Sequence, residues 1–183
     1  MGSKKLYALC VGINDYQYVP KLNGCVPDAT NIRNYLETSC ANTDYEFAPV
    51  MLTNEQATKA NIVDNFINHL GKAGGDDIAV FYFSGHGAEE DADEVFHASS
   101  TKPTLNTMVC YDSRGPAGIT DLADKEMRYL INKMTYTEDP NKKLPHFVVI
   151  MDSCHSGGGT KDADTELVAR LTDKGNPRKW DQF

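Results

Sequence analysis

Two short segments of the chain hold the residue types that acyl transfer needs: Tyr82-Phe83-Ser84-Gly85-His86-Gly87 and Asp152-Ser153-Cys154-His155-Ser156-Gly157-Gly158. A thiol is a weak nucleophile until it becomes a thiolate, and an imidazole within reach either takes the proton or stabilises the charge. The flanking glycines let backbone amides come close to a substrate carbonyl and aim at a developing oxyanion. Taken alone, Cys154 reads as a small buried hydrophobe and His86 as a core or capping histidine. Polar flanks and a glycine run set Cys154 apart, and a base on a comparable turn gives His86 its role.

Both turns follow strand-like runs. Asp77 to Phe83 is continuously apolar after its first residue, as is Phe147 to Met151, and chemistry in open α/β sheets collects at the carboxyl ends of strands. If the two strands are neighbours, His86 and Cys154 face each other across one sheet edge. A third apolar run, Leu6 to Ile13, predicts another strand buried on both faces. Ala29, Ile32, Tyr35 and Leu36 recur at helical spacing after Asp28. Phe47 to Leu52 predicts a strand that Pro49 confines to a sheet edge or a strand start. Thr58 has the place of a helix N-cap before an apolar face of Ile62, Phe66, Ile67 and Leu70, which Gly71 and Gly74-Gly75 end.

Residues 88–121 interrupt the rhythm with an acidic loop (Glu89, Glu90, Asp91, Asp93, Glu94) and two apolar patches, Val95-Phe96 and Met108 to Tyr111, expected to form a small hairpin. Helical spacing returns through Met127, Leu130, Ile131 and Met134. The order β-α-β-α-β-(hairpin)-α-β predicts an α/β fold, a mostly parallel sheet with helices on both faces in three layers. One domain suits 183 residues, of which 40% are hydrophobic.

The formal charge is −8, with 18 basic and 26 acidic residues and no Lys/Arg-rich stripe, which argues against nucleic-acid binding. Five widely spaced cysteines without a CxxC pair argue against a disulfide framework or a zinc ribbon. The Leu6–Ile13 run is too short to span a membrane and has no signal-type cleavage site. A reduced, cytoplasmic protein is expected, with no membrane partner.

The two catalytic segments resemble the paired signatures of the caspase-like cysteine peptidase superfamily, specifically its metacaspase and prokaryotic caspase-like branch, as a large catalytic subunit. His86 and Cys154 stand 68 residues apart, against about 50 and a Gln-Ala-Cys context in true caspases. Leu22-Asn23-Gly24-Cys25-Val26-Pro27-Asp28-Ala29 is similar to the family's segment after the first strand. The likeness covers about residues 6–159, and the catalytic domain is placed at 4–159.

The resemblance implies a dyad of His86 and Cys154, with the amides of Gly87 and Cys154 as oxyanion hole. It also implies an acidic pocket from Asp28 and Asp152, near Cys25, for Arg or Lys at the P1 position of protein or peptide substrates. Strand alternation agrees in part, since Asp152 lies two residues before Cys154; the plainer role for Asp28 is a helix cap. No cofactor is required for the chemistry. Asp112 and Asp121, with Asp124 or Asp162, stand where calcium-dependent metacaspases place ligands, and carboxylate oxygens suit calcium.

In the family the fold continues into a small portion that completes one wall of the cleft, so the sheet is expected to be incomplete without that small subunit. Residues 160–183 are a polar linker whose Arg170, Lys174, Arg178 and Lys179 offer sites for self-cleavage. Two other readings compete: a non-catalytic caspase-like binding module or subunit, and a peptidase preferring Asp at P1, which would need a basic pocket.

Overall fold

The computed structural model describes residues 3–94, 104–139, 141–153, 172–175 and 178–179. In chain order its elements are β1 (Lys4–Gly12), α1 (Cys25–Cys40), β2 (Tyr45–Thr53), α2 (Lys59–Asn68), β3 (Ile78–Ser84), β4 (Gly87–Asp91), β5 (Thr104–Met108), β6 (Leu122–Ala123), α3 (Asp124–Thr135) and β7 (His146–Asp152). Four strands form one parallel sheet in the order β2-β1-β3-β7, and β4, β5 and β6 form a separate antiparallel sheet.

Alternate residues of the central strands feed two cores. Ala8, Cys10, Val80 and Tyr82 pack with Ala29 and Cys40 of α1, and half-buried Ile32 and Leu36 join them. Leu9, Val11, Phe81 and Phe83 pack with Ile62 and Phe66 of α2 and with Met127 and Leu130 of α3. Helices therefore cover both faces, and the three-layer α-β-α architecture is as expected. A strand buried on both sides cannot alternate apolar with polar, which is why β1 and β3 read as unbroken apolar runs.

Pro49 of β2 pairs with Ala8 of β1, and β2 is the outer strand of the sheet among the described residues, the edge position that a proline requires. Thr58 caps α2, its hydroxyl accepting from the Asn61 amide at 3.2 Å. Phe81 is fully buried with its ring 5.3 Å from that of Phe66. Phe81→Ala should destabilise the fold by about 3–5 kcal/mol in denaturant titration; a loss below 1 kcal/mol would place the core elsewhere.

Two local expectations need correction. Glu89, Glu90 and Asp91 are not loop residues but form β4, and the hairpin pairs β4 with β5. Val95-Phe96, expected as one arm of the hairpin, lies outside the described residues. A buried Glu90 has a cationic partner distant in sequence, and no local pattern announces that. Finally, Ile67 and Tyr35 are exposed, because α2 and α1 each bury a narrower stripe than their apolar residues would permit.

Candidate active site

Gly12, Ser84 and Asp152 sit side by side in register at the carboxyl ends of β1, β3 and β7. His86 follows Ser84 by two residues and Cys154 follows Asp152 by two, so both chains leave adjacent strands from one sheet edge. Cys154 and the residues after it up to 171 lie outside the described residues.

His86 is 1% exposed. Its amide donates to the Tyr16 hydroxyl at 2.9 Å, which in turn donates to the Val109 carbonyl at 3.1 Å. The Tyr16 and His86 rings lie 5.0 Å apart. Burial holds the Tyr16 phenol well above its usual range, so the hydroxyl keeps the proton it donates. His86 Nε2 lies 2.7 Å from the Pro20 carbonyl oxygen. A carbonyl can only accept, so Nε2 is the donor in this contact. Nδ1 is the buried side-chain polar atom without a hydrogen-bond partner among the described residues.

Gly85 is needed for this arrangement. A Cβ there would lie 2.4 Å from the Tyr16 hydroxyl oxygen and 2.8 Å from Phe83 Cζ. Gly85→Ala should displace Tyr16 and with it His86, costing about 1–3 kcal/mol of stability as overpacking does. Its catalytic loss should exceed what that instability explains, read as kcat at a temperature where the variant is fully folded. Wild-type kcat would show that Tyr16 does not seat the base.

The carboxylate of Asp152 accepts from the Tyr82 hydroxyl at 3.1 Å and from Ser84 Oγ at 3.2 Å. Burial first, then the charges of Asp152 and Asp28, holds the Tyr82 phenol above its usual range. Both acids thus act on one hydroxyl on the α1 face of β3. The N-cap position of α1 is Gly24, and the first amides of the helix, those of Cys25 and Val26, are met from outside it by Asn14 Oδ1 at 2.9 and 3.3 Å. Asp28, half-buried one turn in, is therefore not the cap. Cys25 is buried as the first residue of α1, and Gly87 begins β4 opposite Met108.

Asn14 is itself held. Its amide and that of Asp15 donate to Asn54 Oδ1 at 2.9 and 3.1 Å, and Asn54 has φ 44°, a left-handed conformation that asparagine tolerates. The loop carrying Tyr16 and Pro20 is thereby pinned to the end of β2.

The aspartates expected to hold calcium are engaged elsewhere. Asp112 Oδ1 accepts the Lys59 amide at the start of α2 at 2.8 Å. Asp121 pairs with Arg114 Nη2 at 2.7 Å and accepts from Thr107 Oγ1 at 2.9 Å. Among the described residues no group of three or more His, Cys, Asp or Glu could hold a metal ion. A hard dication needs several un-neutralised oxygens together, so these two residues do not fit calcium. Asp124 opens α3 and Asp162 lies outside the described residues.

Tyr16 and the Pro20 carbonyl were missed at the level of sequence. Tyr16 follows a strand end, where site residues gather, but a backbone carbonyl leaves no sequence signal. Among the described residues no helix is long and apolar enough to cross a membrane.

Residues 5–161 match the family model described as "Metacaspase, peptidase C14 domain". Metacaspase-1 of Candida glabrata is 32% identical over 162 residues, covering 82% of this chain and 36% of that protein. Metacaspase-8 of Arabidopsis thaliana is 25% identical over 172 residues, covering 87% of this chain and 39% of its own. The crystal structure of a Geobacter sulfurreducens protein superposes with a TM-score of 0.59 at 26% identity, covering 84% of this chain and 52% of the other. The chain thus spans little more than a third of the length of these curated relatives. With a family model matching residues 5–161, most of its length, the chain belongs to the metacaspase family of cysteine peptidases.

Proposed function

We propose that this chain carries the catalytic portion, residues 4–159, of a cysteine endopeptidase that cleaves after Arg or Lys through a dyad of His86 and Cys154. The observation that carries the reading is His86 just after β3, with Nε2 donating to the Pro20 carbonyl and a buried Nδ1 that has no hydrogen-bond partner among the described residues. The other cysteines support Cys154 by contrast: Cys10, Cys25, Cys40 and Cys110 are buried. Burial pushes the Cys10 thiol up to about 11 and raises those of Cys40 and Cys110, so none of these three suits a nucleophile at neutral pH. Their free state also suits a reducing compartment such as the cytoplasm.

In this mechanism Nδ1 takes the Cys154 thiol proton and the thiolate attacks the scissile carbonyl carbon. The oxyanion is met by the amides of Gly87 and Cys154. The Pro20 carbonyl, accepting from Nε2, stabilises the imidazolium while it lasts. As the C–N bond breaks, His86 returns the proton to the leaving amine, giving a thioester acyl-enzyme. Water then attacks with His86 again as base, releasing the carboxylic acid and the free thiol. Asp28 and Asp152 would bind the P1 cation.

Completion by a small portion is part of this reading. β7 ends the described sheet with Val149, Ile150 and Met151 exposed at 39%, 38% and 36%. A groove beside it is lined by Met108, Leu122, Met127, Ile131, Val149 and Met151. An open apolar edge strand is a template for another strand, which also favours the second reading, a subunit inactive until that portion is supplied. A labelled acyloxymethyl ketone peptide with Arg at P1 separates them. Stoichiometric modification of Cys154, abolished by excess Arg-peptide, is expected of the enzyme. Absence of labelling by the full-length protein, with its complete cleft, would leave only the binding module.

A further inference from the structure

Two buried charges stand outside the dyad and the acidic pocket. The side chains of Arg178 and Glu90 are each 2% exposed, a degree of burial that ionised groups reach only when paired. Arg178 Nε and Nη2 donate to Glu90 Oε1 at 3.0 and 2.7 Å, and Nη1 donates to Glu126 Oε2 and Thr120 Oγ1, both at 3.1 Å. The other oxygen of Glu126 meets Lys59 Nζ at 2.8 Å. Cation and anion alternate along Lys59, Glu126, Arg178 and Glu90, tying α2, α3 and β4 to the chain beyond the catalytic turn.

The backbone of that chain is laid along β4. The Thr172 amide donates to the Gly87 carbonyl at 3.2 Å and the Gly175 amide to that of Glu89 at 2.7 Å. Arg114 donates to the Asp173 carbonyl, and Lys174 pairs with Asp91. β4 begins at the residue after His86 and runs Gly-Ala-Glu-Glu-Asp, a composition with poor strand preference of its own. Pairing with β5 on one side and with residues 172–175 on the other is what makes it a strand.

We propose that Arg178 is a positioning residue for the His86–Gly87 turn: seated among Glu90, Glu126 and Thr120, it clamps residues 172–175 against β4 and so fixes Gly87 and the base before it. The proposal rests on the reading of His86 as base and Cys154 as nucleophile. It also takes Arg178 out of the set of basic residues open to self-cleavage, because a peptidase cleft must receive an accessible, extended segment; Lys174 lies in the clamped segment and pairs with Asp91, which leaves Lys179 as the exposed one outside it among the described residues.

The test compares wild type, Arg178→Met and Arg178→Lys in the full-length protein by three readouts. These are amide exchange over 87–91, alkylation of Cys154 by iodoacetamide, and kcat and KM on an Arg-P1 peptide. Arg178→Met strips Glu90 of a charge-assisted partner, so exchange in β4 should rise about tenfold or more while β1 is unchanged. A displaced base should lower kcat and the alkylation rate on the order of 10- to 100-fold, with KM within about twofold. Arg178→Lys should recover part of the loss. Should Arg178→Met not fold, the double variant Arg178→Met/Glu90→Gln removes both buried charges and is read in the same way. Unchanged exchange in β4, or a loosened β4 with wild-type kcat and alkylation, overturns the proposal. Wild-type Cys154 reacting no faster than in His86→Ala would instead sink the dyad, with β4 exchange still reporting on the clamp.

Discussion

Cys154→Ala should reduce peptide cleavage to background, a loss on the order of 10⁴- to 10⁶-fold in kcat, as when members of a nucleophile–base pair are removed elsewhere. The physical reason is that no other described thiol can substitute: Cys10, Cys25, Cys40 and Cys110 are buried in the two cores or at the start of α1. His86→Ala should be nearly as severe, with residual turnover from the small thiolate fraction that exists without a base. The two losses should not add, since one cannot act without the other. Far-UV circular dichroism of Cys154→Ala should match wild type. His86→Ala should melt lower, because it removes a buried ring whose Nε2 satisfies Pro20. Near-normal turnover by Cys154→Ala would show that the nucleophile lies elsewhere, whatever the fate of the fold.

The second large effect concerns specificity. Asp152→Ala should lower kcat/KM on Arg-P1 substrates by about 2–5 kcal/mol, the range for removing one partner of a desolvated charge pair. Neutral P1 residues should suffer far less. Asp152 is already oriented by Tyr82 and Ser84 through one oxygen, Oδ2, so Asp152→Asn separates charge from geometry. The amide keeps a hydrogen-bond acceptor for the two hydroxyls but gives up the charge, and most of the Arg preference should go with it. Wild type should favour Arg over Lys, because a planar fork can bond both Asp28 and Asp152 where an ammonium meets them as a point charge. A fluorogenic panel varying P1 on the three proteins measures this. If wild type prefers Asp or a large apolar residue, the acidic pocket is wrong even if the dyad stands.

Much of the framework was legible in the sequence because the signals were local. The unbroken apolar runs of β1 and β3 could only be strands covered on both faces, Pro49 had to sit on an edge, and Thr58 was a cap by residue type and position. The strand ends that precede His86 and Cys154 were found in the same way, from small and reactive residues following such runs. Only the tertiary structure decided what each reactive group touches. The tautomer of His86 depends on a carbonyl 66 residues away, a backbone atom that any residue type would supply. Whether Asp28 capped α1 turned on Asn14, outside the helix altogether. Glu89 to Asp91 read as a solvated acidic loop, yet they form a strand paired with β5, and the buried Glu90 of that strand meets Arg178, 88 residues further on. Pattern and propensity report on a residue and its near neighbours, whereas the state of a buried polar group is set by whichever partner the fold brings to it.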